Sequence, residues 1–176
     1  MSLAGSFGTE FWWDAMPITP EDMVYVPDWS LRPVEPSDCG FCYALACDPT
    51  ARAHSRTIDP PDWALHQRVF ASWLRARDLT LIVQSHQGVP IGLVRFGFRD
   101  DLREISITLA KEYRGQGLAA PIITAATETR RHEGAPVFAW VKGCNEASRK
   151  AFERAGYGLV WMGSEPGYLC YMYQFS

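Results

Sequence analysis

Residues 111–126, KEYRGQGLAAPIITAA, decide how this chain folds. The preceding run 104–109, EISITL, alternates apolar and polar side chains and predicts a strand, whereas the small apolar run 118–127 predicts a helix. The glycines between them therefore join a strand to a helix whose first backbone N–H groups have no partners within the helix. These groups and the positive end of the helix dipole attract anions, so we expect a phosphate to bind at this junction.

Three known phosphate-binding patterns compete for this glycine loop. A nucleoside-triphosphate loop ends in Gly-Lys-Ser/Thr, but Leu118 and Ala119 stand there, which excludes it. Residues 115–120 fit the dinucleotide pattern G-x-G-x-x-A, but several strand signals precede them, whereas that fold carries the pattern after its first strand. The third pattern, Arg/Gln-x-x-Gly-x-Gly/Ala, is met at 114–119 and resembles the pyrophosphate loop of the GNAT N-acetyltransferases. Taken alone, these six residues also fit an ordinary glycine turn before a helix.

Composition bounds the class of protein. The chain has 176 residues, of which 47% are hydrophobic, enough for one domain with a sizeable core. We expect residues 29–176 to form this domain, after an N-terminal extension 1–28 that is either natural or, in its first residues, added for expression. The net charge of −3 argues against nucleic acid or an anionic membrane as a partner. Since no signal peptide or membrane-spanning run is evident, a cytoplasmic location is expected.

The five cysteines do not have the spacing of a disulfide framework. Cys39 and Cys42 form a C-x-x-C pair with Cys47 nearby, but no second pair completes a zinc site. Packing of these cysteines on a helix is therefore favoured, and no metal is expected.

Hydrophobic periodicity and turn residues predict the element order β-α-α-β-β-β-α-β-α-β-β. The predicted helices cover residues 39–47, 63–77, 118–132 and 146–155, and the predicted strands cover 29–34, 79–83, 89–98, 104–109, 136–141, 157–161 and 168–175. Tight turns join the strands from 79 to 109, which implies an antiparallel meander. The helix at 118–132 makes the strands on either side of it parallel.

A second motif, NEASRKAFERAGY at 145–157, is similar to the segment N-x-x-[AS]-x-x-x-[YF]-x-[KR]-x-G-[FY] of the GNAT family. With the glycine loop and the element order, it extends the resemblance to residues 29–175. The resemblance implies an α/β (α+β) fold, in which helices flank a central mixed, mostly antiparallel sheet with a splayed pair of parallel strands. It also implies an acetyltransferase that uses acetyl-CoA as its co-substrate.

The resemblance further implies which residues hold acetyl-CoA. The pantetheine arm would pair with exposed backbone at the end of the strand before the loop, the pyrophosphate would sit on the loop, and Asn145 would contact the arm from the other side. Either Arg149 or Lys150 could meet the nucleotide phosphates. The expected contacts are Ile107, Leu109, Ala110, Arg114, Gly115, Gln116, Gly117, Leu118, Ala119, Asn145, Ser148, Arg149 and Phe152.

Direct attack of an amine on the thioester requires a base, and Glu104, at the start of the strand that leads to the cofactor, is the first candidate. A surface glutamate at a strand end fits the sequence equally well, and His54, His66 and His86 are alternative bases. Phe152 stands where many family members carry a tyrosine that protonates the leaving thiolate. Tyr157, another tyrosine or water would have to replace it.

The acceptor is read from the N-terminal half. Residues 55–57, the helix with Trp63 and the strand pair 79–95 resemble a subgroup that acetylates nucleotide-linked amino sugars in pseudaminic acid biosynthesis. The expected acceptor contacts are Arg52, His54, Arg56 and Trp63. A protein N-terminus, a polyamine or an antibiotic is the alternative acceptor, and a non-catalytic acetyl-CoA sensor is the alternative function. The aromatic strand 168–175 could join two chains as a homodimer.

Overall fold

The computed structural model describes residues 28–76, 79–99, 102–160 and 167–175, so the predicted N-terminal extension lies outside the described residues apart from Asp28. The strands are β1 Trp29–Pro33, β2 Thr80–Ser85, β3 Pro90–Arg99, β4 Leu102–Leu109, β5 Val137–Lys142, β6 Gly158–Val160 and β7 Tyr168–Tyr173. The helices of the described part are α1 Cys39–Cys47, α2 Pro49–Ala53, α3 Trp63–Arg75, α4 Ala119–Glu128 and α5 Glu146–Arg154.

All seven strands join one sheet in the order β1-β2-β3-β4-β5-β7-β6. Neighbouring strands are antiparallel except β4 and β5, which are parallel and pair only at Arg103 with Val137 and at Glu104 with Phe138. Beyond these two pairs, β4 and β5 diverge while each stays paired to its other neighbour. The predicted mixed, mostly antiparallel sheet with a splayed parallel pair is therefore confirmed.

Alternation along the strands gives the sheet two apolar faces. Ile105, Leu109 and Val141 pack against Ile122 of α4 and Phe152 of α5 on one face. Ile82 and Leu93 pack against Cys42, Leu45 and Phe70 of α1 and α3 on the other face. Helices thus cover both faces, and the open side of the splay lies between the two layers.

Two helices differ from the sequence prediction. Residues 49–53 form the short helix α2 instead of a loop, because the Asp48 carboxylate caps it by accepting from Ala51 N–H at 2.7 Å. Helix α4 ends at Glu128 rather than near residue 132, and a 3₁₀ turn at Arg131–Glu133 carries the chain to Gly134 at φ 64°. Asn145 caps α5, since its side chain accepts from Ser148 N–H at 3.1 Å.

The cysteines of α1 pack as predicted. Cys39, Cys42 and Cys47 are unbridged, and burial raises the pKa of the Cys42 thiol to about 12, so this thiol is unreactive at neutral pH. Within the described ranges, no three His, Cys, Asp or Glu side chains are grouped as metal ligands would be. No helix of the described part is long and apolar enough to cross a bilayer.

Candidate active site

The splay of β4 and β5 opens into a cavity of about 710 Å³. Its walls come from the α2 region, β3, β4, the glycine loop, β5 and α5. Of the predicted site residues, twelve line this cavity: Arg52, His54, Arg56, Glu104, Ile107, Leu109, Arg114, Gly115, Ala119, Asn145, Ser148 and Phe152. Four separate stretches of sequence, 52–56, 104–109, 114–119 and 145–152, therefore meet at one place.

The glycine loop presents free backbone donors. Gly115 and Gly117 adopt φ values of 74° and 77°, a left-handed conformation that favours glycine. No described residue accepts a hydrogen bond from the N–H groups of residues 115–120, and no side chain caps α4 at Leu118. The loop therefore offers a cluster of N–H groups at a helix N-terminus, as an anion site requires.

Backbone direction along β4 decides which of its residues can meet a ligand in the splay. Ala110 N–H donates to Ile91 O at 2.9 Å, on the β3 side. Successive residues of a strand direct their backbone groups to opposite sides, so those of Ile107 and Leu109 point into the splay. The Ala110 N–H is already used within the sheet, so this group is not free to pair with a ligand in the splay.

Arg114 holds the loop against its neighbours. Its Nε donates to Leu109 O at 2.8 Å, and its guanidinium forms an ion pair with Asp48 at 2.9 Å. Burial alone would raise the Asp48 pKa, but the hydrogen bonds from Ala51 N–H and Arg114 outweigh it and lower the pKa. Arg114 therefore joins the end of β4 to the start of α2 and fixes the position of the glycine loop.

Helix α5 supplies the opposite wall through Asn145, Ser148 and Phe152. Arg149 is directed away from the cavity, where it donates to Gly143 O at 3.3 Å and to Tyr171 OH at 3.4 Å. Lys150 pairs with Glu146 at 2.8 Å in solvent. Of the expected cofactor contacts, Ala110, Gln116, Gly117, Leu118 and Arg149 lie outside the cavity lining.

The candidate base Glu104 lines the cavity and accepts a hydrogen bond from Arg56 at 2.9 Å. Among the alternative bases, His54 also lines the cavity, and its buried Nδ1 has no hydrogen-bond partner in the described part of the chain. His66 is instead buried at 3% exposure, with Nε2 3.1 Å from Cys39 O. His86 lines a separate depression of about 430 Å³ next to Trp29. Only Glu104 and His54 of these candidates are therefore placed to reach a ligand in the cavity.

The predicted acceptor residues have different surroundings. Arg52 donates to the backbone carbonyls of Thr57, Ile58 and Asp59, so it holds the loop after α2 in place. Trp63 lies outside the cavity lining, with its ring 4.9 Å from that of Tyr43. Helix α3 begins at Trp63, whose side chain lies against Tyr43 of α1.

The candidate proton donors separate clearly. Tyr157 is buried, and its OH lies 2.6 Å from the Thr127 hydroxyl, on the far side of Phe152 from the cavity. Tyr168, at the start of β7, lines the cavity next to its strand partner Lys142. Among the described residues, it is the only tyrosine in the cavity lining.

The lining residues that the sequence did not predict include Arg95, Trp140, Lys142 and Tyr168. Arg95 interrupts the apolar run of β3, and this single charge among apolar neighbours was a usable signal. Lys142 ends β5 and donates to Ala53 O at 3.0 Å. Trp140 and Tyr168 looked like ordinary strand aromatics, which sequence alone does not distinguish from core.

Comparisons with known proteins agree with this architecture. Residues 29–158 match the family model described as an acetyltransferase (GNAT) domain. A curated mycothiol acetyltransferase from Corynebacterium aurimucosum is 29% identical in an alignment of 117 residues that covers 57% of this chain and 38% of that protein. This chain thus spans about two fifths of the curated relative.

Two solved structures share the fold. An acetyltransferase from Agrobacterium tumefaciens superposes with a TM-score of 0.71 at 22% identity, over 84% of this chain and 91% of that one. A spermidine N-acetyltransferase from Vibrio cholerae, solved with CoA and spermine, gives 0.66 at 16% identity, over 82% and 93% of the two chains. Since the family model covers most of the described domain, the chain belongs to the GNAT acetyltransferase family.

Proposed function

We propose that this protein transfers the acetyl group of acetyl-CoA to a small primary amine. The observation that carries the proposal is the position of the splay, which opens into the cavity directly beside the glycine loop and its free N–H groups. An extended pantetheine arm and a pyrophosphate need these two features side by side.

Each part of acetyl-CoA has residues suited to it. The backbone groups of Ile107 and the N–H of Leu109, whose carbonyl already accepts from Arg114, can pair with the amides of the pantetheine arm, as an added strand would. The N–H groups of residues 115–120 suit the pyrophosphate. Asn145 and Ser148 face the arm from α5. Bound acetyl-CoA supplies a reactive thioester, and the protein orients it.

The proposed reaction is a direct transfer. The amine nitrogen attacks the thioester carbonyl carbon, the C–N bond forms and the C–S bond breaks. Glu104 accepts the proton that the amine loses, directly or through water, and the thiolate sulfur receives a proton. Because Phe152 has no proton to give and Tyr157 is held by Thr127, we assign proton donation to Tyr168. Glu104 then releases its proton to solvent, and Tyr168 takes a proton from solvent.

For the acceptor, we propose an amino sugar attached to a nucleotide. Arg56 and His54 line the cavity on the side where α2 borders it, and arginine forks suit a diphosphate. The side chains of this wall are basic, whereas a polyamine or a polycationic antibiotic would need carboxylates. Arg52 contributes to this wall indirectly, because its hydrogen bonds hold the loop after α2 in place.

The test has two stages. Calorimetry should first detect acetyl-CoA binding, and thiol release should then be compared for a nucleotide-linked amino sugar, the same sugar without its nucleotide, and a peptide amine. We expect the nucleotide-linked sugar to give the highest kcat/KM. Binding without thiol release from any amine would favour the sensor, and preference for the peptide would favour protein acetylation.

A further inference from the structure

Arg95 is a charged side chain in an otherwise apolar part of β3. In the β3–β4 register Arg95 pairs with Ser106. Two positions along the strands, Gly97 pairs with Glu104 on the same face of the sheet. Its side chain lines the cavity, and its guanidinium carbon lies 4.2 Å from the centre of the Trp73 ring. Arg95 is therefore supported from the α3 side by an aromatic face and directed to the cavity on the other.

This guanidinium has no anionic partner within the described residues. Its Nε is buried and makes no hydrogen bond there, and no carboxylate lies within ion-pair distance. Burial lowers the Arg95 pKa, and the charge of Glu104 opposes this effect only in part. Glu104 itself is paired with Arg56. Arg95 is partly buried, and a desolvated charge without a partner destabilises a fold, so an anion that arrives from outside would compensate it.

The rest of the cavity has the same bias in charge. Its cationic lining residues are Arg52, Arg56, Arg95, Arg114 and Lys142, whereas Glu104 is its single carboxylate among the described residues. Arg114 is matched by Asp48, and Arg52 and Lys142 donate to backbone carbonyls. Arg95 is thus the lining cation that the protein leaves without any polar partner in the described part of the chain.

We propose that Arg95 binds an anionic group of the acceptor, a carboxylate or a phosphate. This inference rests on the proposed acetyl transfer and names a chemical requirement on the acceptor. Arg95 and Glu104 are diagonal neighbours on β3 and β4, whose backbone positions lie about 7–8 Å apart, so an anion on Arg95 shares a wall of the cavity with the candidate base. The acceptor therefore carries an amine and an anionic group on one scaffold, as an amino sugar attached to a nucleotide does.

The first test measures anion binding without any turnover. Acetate and inorganic phosphate are titrated separately by calorimetry into wild type, Arg95→Met and Arg68→Met, in which an exposed arginine of α3 is removed as a matched control. The Kd of the better-bound anion should rise at least tenfold in Arg95→Met and stay unchanged in Arg68→Met. The anion that wild type binds more tightly shows whether the anionic group of the acceptor is a carboxylate or a phosphate. Equal Kd values in wild type and Arg95→Met would overturn the proposal.

Thermal stability separates a ligand site from a structural role. Removing a partly buried charge that has no partner should leave the Tm of Arg95→Met equal to that of wild type or raise it. If Arg95 only supported the fold, the Tm of Arg95→Met would fall. Anion binding would then weaken only as far as the variant is unfolded.

The kinetic test uses matched acceptors. If the titration selects phosphate, we expect glucosamine 6-phosphate to have a lower KM than glucosamine. If it selects carboxylate, we expect alanine to have a lower KM than alaninamide. Arg95→Met should remove this advantage while KM for the uncharged member of the pair stays the same. Acetyl-CoA that does not bind would contradict the proposed function, whereas bound acetyl-CoA with no advantage for either anionic acceptor would contradict the role of Arg95 alone.

Discussion

The Glu104 carboxylate accepts a hydrogen bond from Arg56 at 2.9 Å, across the mouth of the cavity. Both side chains are partly exposed, at 21% for Glu104 and 43% for Arg56. Since such pairs add little to stability, the pair is better understood as fixing the direction of the carboxylate. An anionic acceptor that attracts Arg56 would free this carboxylate as the acceptor binds.

The first prediction concerns Glu104. Glu104→Gln keeps the shape of the side chain but cannot accept a proton, so kcat should fall by about 10²-fold or more. Acetyl-CoA affinity measured by calorimetry should not change. Glu112→Gln, an exposed glutamate beside the glycine loop, is the control and should keep the wild-type rate. A wild-type rate for Glu104→Gln over the whole pH range would show that the carboxylate is not the base.

The second prediction concerns Gly117. A side chain at its φ of 77° costs about 1–2 kcal/mol, and Val in place of Gly either projects where the phosphate would sit or turns the N–H groups away. Gly117→Val should therefore abolish acetyl-CoA binding in calorimetry.

The matched control for this change is Gly134→Val. Gly134 also has a positive φ, at 64°, and open space around its missing side chain, but it lies after the turn that follows α4. Gly134→Val should lose similar stability and keep its affinity for acetyl-CoA. If a folded Gly117→Val binds as tightly as wild type, the loop is not the phosphate site.

The sequence predicted the sheet and the glycine loop because both depend on local patterns. Alternation in β4, the glycines at 115 and 117 and the Asn145 cap each specify a conformation within a few residues. The walls of the cavity depend on contacts distant in sequence. Arg56 meets Glu104 across 48 positions and Lys142 meets Ala53 across 89, which periodicity does not reveal. The surroundings of Trp63, whose ring lies 4.9 Å from that of Tyr43, likewise depend on contacts between residues distant in sequence.

The third prediction concerns acid stability. Arg32 forms two hydrogen bonds with the buried Asp38 carboxylate, at 2.7 and 2.8 Å, and Glu35 N–H adds a third at 2.7 Å. Burial raises the Asp38 pKa, but these bonds outweigh it and lower the pKa below its unfolded value. Asp38 therefore contributes stability above the unfolded pKa of about 3.9, which is lost as pH falls through the folded pKa.

Asp38→Asn removes the charge with little change in size. Its free energy of unfolding at neutral pH should be lower than that of wild type by about 2 kcal/mol, the scale of hydrogen bonds to a charged group. Urea titrations from pH 7 down to pH 3 should show this difference shrinking. Asp59→Asn, at an exposed loop position, is the control. A difference that is constant with pH would mean that the Arg32 pair does not depend on the Asp38 charge.

The last prediction concerns the proton donor. Phe152 lines the cavity from α5 and packs edge-on against Tyr157 at 5.1 Å, whereas Tyr168 lines it from β7. If Tyr168 protonates the leaving thiolate, Tyr168→Phe should lower kcat by about 10²-fold without changing acetyl-CoA affinity. Tyr157→Phe, which removes only the hydrogen bond with Thr127, should cost about 1–2 kcal/mol of stability and leave kcat unchanged.

Restoring a phenol on α5 distinguishes proton donation from loss of packing at Tyr168. The double variant Tyr168→Phe with Phe152→Tyr should recover kcat to within about tenfold of wild type, because proton donation contributes about 10²–10⁴-fold and a second phenol can supply it from the opposite wall. A packing defect at residue 168 would not be repaired by a hydroxyl on α5. Recovery of kcat therefore requires that the function lost in Tyr168→Phe is proton donation. If the double variant is as slow as Tyr168→Phe, with both variants folded and binding acetyl-CoA, solvent protonates the thiolate instead.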